Sequence, residues 1–232
     1  GEDNRNVARM AGLLAGLPFT VPGETINVLC ASGMAAVTHA SRMLKLGDAD
    51  LLIAGGVENM TRGPWVISKS SKPFGQDVKM CDSSFGWRFI NPQLHALYGT
   101  DPMGVTAENL AQIHSISRDD QDRFACWSQE KAYKHKFLRH EECVDVEVVR
   151  KGMEPFVFKT DEFAKEATSM EGLSGIPTAF LKEGGTVTAG NASGLNDGSA
   201  ALLLASENGL KAHSLEPLAR IVSSVVVGVE PR

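Results

Sequence analysis

Cys30 is the residue of this sequence best placed for covalent chemistry. It stands in Thr25-Ile26-Asn27-Val28-Leu29-Cys30-Ala31-Ser32-Gly33-Met34. β-Favouring and apolar residues run into the cysteine, small residues follow, and a helical pattern occupies Ala35 to Leu46. That order predicts strand, sharp turn, helix, with Cys30 at the turn. A thiol there lies against the N-terminus of a helix, whose unpaired N–H groups and dipole favour the thiolate. Ala31, Ser32 and Gly33 leave room for a substrate to reach the sulfur. The chemistry this points to is nucleophilic catalysis; the plainer alternative is a small buried hydrophobe, which describes most free cysteines. Glu58 follows an apolar run and could serve as a general base. A buried carboxylate satisfied by backbone N–H groups is the favoured reading of it. Gly55 and Gly56 lack the context of a phosphate-binding loop and read as a close backbone approach. No cluster of His, Cys, Asp and Glu has metal-ligand spacing.

A nucleophile needs a rigid mount, and the flanking sequence supplies one. Val7, Met10, Ala11, Leu14 and Leu17 have helical spacing, with Asp3 or Asn4 as the expected N-cap. Pro18, Pro22 and Gly23 end that helix. After the Cys30 unit, Gly47 closes the second helix, and Asp48-Ala49-Asp50 turns into Leu51-Leu52-Ile53-Ala54. This wholly apolar run predicts a strand covered on both faces. The alternation of helix and strand predicts an α/β sheet with parallel neighbours.

From Thr61 to Pro102 no period is sustained, and so long an irregular stretch in a compact domain is usually functional. Helices are expected from Gly104 to His114 and from Ser117 to Arg139. Ser117 caps the second, and Phe124, Trp127, Ala132 and Phe137 form its partial apolar stripe. Val144 to Val149 alternates as a strand with one wet face, and Asp161 to Leu173 reads as a weak helix. Sheet-like texture returns at Thr186 to Gly190. A small-residue loop over Asn191–Gly198, an apolar run over Ala200–Ala205, a helix over Ser206–His213 and a Val-rich strand over Leu218–Val229 complete the chain.

Composition narrows the function classes. A chain of 232 residues with 43% hydrophobic and 22% charged residues is an ordinary globular sequence. A net charge of −5 gives no electrostatic reason to expect nucleic acid as a partner. Cys30, Cys81, Cys126 and Cys143 are widely spaced, and free thiols in a reducing compartment are the expectation. No apolar run reaches membrane-spanning length.

The motif around Cys30 resembles the nucleophile motif of the thiolase family. Gly55-Gly56-Val57-Glu58-Asn59-Met60 resembles the family's Gly-Gly-x-Glu-x-Met stretch. Met103-Gly104-Val105-Thr106-Ala107-Glu108-Asn109 resembles the start of its CoA-covering loop domain, continued by Ile116-Ser117-Arg118 and Gln121-Asp122. Thr186 to Gly198, TVTAGNASGLNDG, is the most specific match. Within the family, Gly1 to Asn6 and Gly86 to Pro92 are most similar to 3-oxoadipyl-CoA thiolases and their acetyl-CoA acyltransferase relatives. The resemblance implies a thiolase-like layered α/β fold with an inserted loop domain, incomplete here. Residues 1–60 with 186–213 would form part of the N-terminal domain, 61–185 the loop domain, and 214–232 the first strand of the C-terminal domain.

It also implies a reaction. A 3-oxoacyl-CoA is cleaved by CoA to acetyl-CoA and a shortened acyl-CoA, or the reverse condensation is run. Cys30 would carry the acyl group, and its own N–H would help hold an oxyanion. Ala189, Ser193 and Phe180 match positions that line the pantetheine of CoA, Met103 matches a pocket wall, and Lys165 falls where the family has a basic residue near the nucleotide. CoA is a co-substrate, and no permanently bound cofactor or metal is implied. The expected partners are CoA and acyl-CoA in a cytoplasmic homodimer or homotetramer (mitochondrial or peroxisomal in a eukaryote).

The family further uses a histidine in Gly-His-Pro, an Asn-Glu-Ala-Phe stretch and a second cysteine as acid/base, and none of these motifs occurs here. His39, His95, His114, His135, His140 and His213 have other contexts and read as core or surface residues. The opening strands are absent too. The segment is therefore expected to be cut from a longer chain and to turn over little alone. A truncated, non-catalytic homologue that binds acyl-CoA or a partner subunit is the main rival. A ketoacyl synthase of the same broad fold is the second, and the Asn-x-x-Cys-Ala-Ser-Gly context and the long insertion argue against it.

Overall fold

The computed structural model describes residues 6–136 and 141–231. The expected caps Asp3 and Asn4, and Phe137, Arg139 and His140, lie outside the described residues. The chain divides into two compact units. One is Gly1–Ser84 with Asn196–Glu230, and the other is Phe85–Leu195 with Pro231–Arg232.

In the first unit, Asn6 caps helix α1 (Val7–Leu14), its side chain accepting from the Arg9 N–H at 3.2 Å. The Arg9 side chain donates to the carbonyls of Phe19 and Val21, and Asn6 donates to Gly23 O at 2.8 Å. These bonds staple the proline-bearing stretch back onto α1. Helix α2 (Ser32–Leu46) ends at Gly47, whose φ of +82° suits a residue without Cβ. It packs on a ladder of β1 (Leu51–Asn59) and β6 (Asp197–Ala205), where Ala40, Ala54 and Leu204 form the buried cluster.

Three expectations need correction here. The ladder is antiparallel, Leu52 facing Leu204 and Gly56 facing Ala200, and no pair of strands among the described residues is parallel. Only the α2 side is covered, because Ile53, Val57 and Leu203 on the other face are exposed. Thr25 to Leu29 is no ladder strand; among the described residues it makes a single isolated bridge, between Val28 and Cys30. Leu218 to Val229 carries no strand either. β-Propensity becomes a strand only where a neighbouring backbone takes up the N–H and C=O groups. Helix α7 (Glu207–His213) follows β6, with Ser206 accepting from the Gly209 N–H at 3.1 Å.

Gly55 is the close approach that its sequence context suggests: a Cβ there would run into the carbonyl of Ala200 across the ladder. The irregular stretch after β1 holds a 3₁₀ turn (Met60–Arg62) and an antiparallel pair, β2 (Trp65–Ile67) with β3 (Met80–Asp82).

The second unit contains α3 (Pro92–Tyr98), α4 (Met103–Ile113), α5 (Arg118–Lys134), the antiparallel pair β4 (Val146–Val148) and β5 (Phe156–Phe158), and α6 (Met170–Ser174). Ser117 caps α5 by accepting from the Asp120 N–H at 3.1 Å. Of the expected apolar stripe of α5, only Ala132 lies on the buried side among the described residues. Phe124 and Trp127 are exposed and meet edge-on at 6.2 Å, while Asp122 and the half-buried Ala125, Cys126, Gln129 and Ala132 face inward. The weak helix expected over Asp161–Leu173 is confined to its end. Asp161 accepts from the Phe163 N–H at 2.9 Å, and Ser169 starts α6 by accepting from the Gly172 N–H at 3.1 Å. Side chains that satisfy local N–H groups in this way compete with helix. Thr186 to Gly190 likewise forms no strand beyond a bridge between Thr178 and Thr188.

Candidate active site

The first unit presents Cys30 on a locally enforced turn. Leu29 adopts φ +52°, a left-handed conformation that costs a residue with a Cβ about 1–2 kcal/mol. Two side chains hold it there. Asn27 Oδ1 accepts from the Leu29 N–H at 2.9 Å. Ser32 Oγ accepts from the Val28 N–H at 2.9 Å and donates to Leu29 O at 2.6 Å. The backbone adds Ala31 N–H to Val28 O at 3.2 Å and Ser32 N–H to Leu29 O at 3.0 Å. Ala31 is the N-cap of α2, so Cys30 directly precedes the helix, and its thiol is exposed and free. The buried-hydrophobe alternative for Cys30 does not hold. Asn27 and Ser32 belong to the machinery of the turn, a role that residue types alone did not disclose.

Behind this turn a cavity of about 260 Å³ opens between α2 and the ladder, lined by Gly33, Met34 and Val37 on one side and Ala54, Gly56 and Leu202 on the other. Small side chains leave this space. Glu58, expected as a buried carboxylate, is exposed on β1 opposite Gly198. At that end of the ladder Asp197 accepts from the Thr61 hydroxyl at 2.6 Å and the Thr61 N–H at 3.0 Å. These bonds hold the Asp197 carboxyl below its ordinary pKa.

Among the described residues, the buried carboxylates are in the second unit. Glu108 of α4 is 5% exposed and Asp122 of α5 is 1% exposed. Glu108 accepts from the N–H of Val187 at 2.8 Å, the N–H of Thr186 at 2.9 Å and the hydroxyl of Thr186 at 2.8 Å. Burial pushes the pKa of Glu108 up, yet these bonds to its ionised form outweigh burial and the net shift is downward. Gln121 of α5 donates to the Thr186 hydroxyl at 2.9 Å. Two helices thus grip the start of the 186–198 segment.

Of the five residues matched to CoA contacts, Ala189 and Ser193 lie on the gripped segment, and Met103 and Phe180 lie at the start of α4. Met103 opens α4 and is 76% exposed. The Phe180 ring lies flat against Gly104, leaving no room for a Cβ there. Ala189 and Ser193 are exposed on the segment that Glu108 holds from the same helix. Lys165 stands apart: its N–H donates to Gln129 Oε1 of α5 at 2.9 Å, and the residue is exposed. Cys30 belongs to the other unit. Of the histidines, His39 pairs with Glu24 at 2.6 Å, His95 bonds Thr100 at 2.8 Å, and His114, His135 and His213 are exposed.

Comparison with known proteins gives this arrangement a family context. The sequence model described as "Thiolase, N-terminal domain" matches residues 1–208. A β-ketoadipyl-CoA thiolase of Acinetobacter baylyi is 49% identical over the whole chain, which covers 58% of that relative. The 3-oxoadipyl-CoA/3-oxo-5,6-dehydrosuberyl-CoA thiolase of Escherichia coli K12 is 50% identical, again over the whole chain and 58% of the relative. The chain therefore spans little more than half the length of the curated relatives it matches. The acetyl-CoA acetyltransferase of Bacillus anthracis superposes with a TM-score of 0.82 at 37% identity, over 96% of this chain and 55% of that one. Human mitochondrial 3-ketoacyl-CoA thiolase in complex with CoA superposes at 0.77 with 36% identity, over 91% and 52%.

Proposed function

Because this chain belongs to the thiolase family, we propose that it is the nucleophile-bearing part of a CoA-dependent acyltransferase that cleaves 3-oxoacyl-CoA through an acyl-Cys30 intermediate. The observation that carries the reading is the exposed Cys30 thiol on an enforced turn at the start of α2.

The Cys30 thiolate attacks the C3 carbonyl of the substrate. A carbon–sulfur bond forms, and the carbonyl electron pair moves to an oxyanion that the Cys30 N–H helps to hold. Collapse of that adduct breaks the C2–C3 bond, and the departing carbanion becomes acetyl-CoA by taking a proton, balanced by the one the CoA thiol gives up in the second half-reaction. The CoA thiolate then attacks the acyl-Cys30 carbonyl, forms the shortened acyl-CoA and returns the Cys30 thiolate. The turn built by Asn27, Leu29 and Ser32 serves this by fixing the sulfur against the helix terminus, so little reorientation is needed on attack. Phe180, Ala189 and Ser193 take the pantetheine arm, Met103 walls the pocket, and Lys165 lies toward the nucleotide phosphates. 3-Oxoadipyl-CoA is the first acyl donor to test, since the relatives at 49% and 50% identity carry that substrate in their names.

The test is acyl trapping. Brief exposure to acetyl-CoA, followed by peptide mass spectrometry, is expected to place one acetyl group on Cys30 and none on Cys30→Ser. An unlabelled Cys30 in active protein, or normal turnover by Cys30→Ser, refutes the nucleophile. A protein that binds CoA and is never acetylated is instead a non-catalytic homologue.

A further inference from the structure

We infer that Asp122 and Asn191 are positioning residues for CoA: the buried Asp122 carboxylate fixes the Asn191 amide, which sets the turn that presents Ala189 and Ser193. This rests on the reading of those two residues as pantetheine contacts.

Asp122 is buried on α5 and bonded on both oxygens. Its Oδ2 accepts from Arg118 Nε at 2.8 Å, one helical turn earlier. Its Oδ1 accepts from Asn191 Nδ2 at 2.9 Å. That contact dictates which way the amide faces, because an anion accepts only from the NH₂ end. Asn191 Nδ2 also donates to Thr186 O at 3.1 Å, and Asn191 Oδ1 accepts from the Thr188 N–H at 2.7 Å. The fully buried Thr188 then accepts on its hydroxyl from the N–H groups of Gly190 at 3.1 Å and Asn191 at 3.2 Å, and on its carbonyl from Ala192 at 3.1 Å. Backbone bonds therefore lock the residues on both sides of Ala189 to the orientation of one amide.

The anchor extends beyond the turn. Arg118 also donates to the carbonyls of Leu173 at 2.5 Å and Ile176 at 3.1 Å. The side chains of those two residues press on Gly190, where a Cβ would meet Ile176 Cδ1 at 2.5 Å. A turn whose exposed side chains are an alanine and a serine gains little from apolar burial. Its position rests on the polar network, and its product is the fixed placement of two small groups on an open surface. Such a surface suits a flexible, mostly uncharged arm better than it suits a catalytic group. The amide–carboxylate contact is worth about tenfold to an equilibrium if it behaves as an ordinary net hydrogen bond to a charged group.

The experiment compares two acetyl donors in the full-length protein that contains this chain. Acetyl-CoA carries the pantetheine arm, whereas an acetyl thioester of a two-carbon thiol lacks it. Asn191→Asp places a second carboxylate against Asp122. It is expected to raise the acetyl-CoA concentration for half-maximal labelling of Cys30 about tenfold or more, with labelling by the short thioester unchanged. The exchange variant Asp122→Asn with Asn191→Asp restores a donor facing an acceptor between the two side chains and is expected to recover part of the loss, the Thr186 carbonyl still lacking its donor. It also reports on the contact should the single variant fold poorly. Equal losses with both donors that the exchange does not recover, or no loss with either, overturn the positioning role. Wild-type protein that takes no acetyl group on Cys30 from either donor overturns the catalytic reading, and this inference with it. Wild-type labelling that is indifferent to the pantetheine arm overturns the inference alone.

Discussion

Replacing Glu108 by alanine should loosen the start of the 186–198 segment without unfolding the Cys30 turn, and the structure sets the size of the effect. The substitution leaves the N–H groups of Thr186 and Val187 and the Thr186 hydroxyl without their acceptor. The hydroxyl can rotate, but the two amides cannot. An unsatisfied buried donor costs about 1–3 kcal/mol, so two amides give roughly 2–6 kcal/mol before relaxation. Removing the desolvation burden of a carboxylate returns part of that. The net expectation is about 3 kcal/mol, which corresponds to roughly hundredfold faster amide exchange at Thr186 and Val187 where local opening governs it.

Glu108→Gln keeps one acceptor oxygen but turns an NH₂ toward a donor, and should cost about 2 kcal/mol. The pH dependence carries a definite sign. The folded pKa of Glu108 lies below its unfolded value, so its contribution is complete above the unfolded pKa and is lost as pH falls through the folded one. Wild-type protection at these amides should therefore decline below about pH 4, with that portion of the decline absent from Glu108→Gln. Hydrogen exchange followed by mass spectrometry or NMR reads both effects. Exchange of the two amides within threefold of wild type in Glu108→Ala would refute the account, because a true buried acceptor cannot be removed at so small a cost.

Gly55→Ala should destabilise the first unit by about 1–3 kcal/mol, since its Cβ meets backbone at Ala200 and Ala201 rather than a movable side chain; a denaturation midpoint equal to wild type would contradict this. Leu29→Gly should leave stability unchanged or raise it by up to about 1 kcal/mol, and Leu29→Val should lower it, because a β-branched residue tolerates φ +52° least. Thermal melts of the two variants in the opposite order would show that the turn is not strained at Leu29.

The turn into α2 at Cys30 was legible in the sequence because its signal is local. A few residues define a turn into a helix, and the bonds that enforce it span no more than four positions. The caps at Ser117, Ser169 and Ser206 act over three residues and are readable for the same reason, although Asn6 rather than Asp3 or Asn4 serves α1. Strands fared worse. Thr25–Leu29 and Leu218–Val229 have β-favouring composition, but a strand is a property of a pair and neither finds a ladder partner among the described residues. The inward face of α5 was misread for a related reason. Apolar periodicity pointed to Phe124 and Trp127, whereas Arg118 and Asp122 at i and i+4 are turned inward to bind partners more than fifty residues away.

The carboxylates carry the argument one step further. Glu58 and Glu108 each follow an apolar or small-residue run, and the sequence offers no reason to bury one rather than the other. The difference is whether another segment brings donors. Glu58 on β1 faces Gly198, and the donors at that end of the ladder go to Asp197. Glu108 sits where residues 186 and 187 arrive with two N–H groups and a hydroxyl. A carboxylate can be buried only where its solvation is replaced. The buried acids of this chain therefore mark where its segments converge, and Glu108 and Asp122 converge on one segment, the turn bearing Ala189 and Ser193. An exposed turn of small residues needs little support to exist but much support to hold one position. Two buried acids on two helices provide that support, as the proposed pantetheine contacts at Ala189 and Ser193 require.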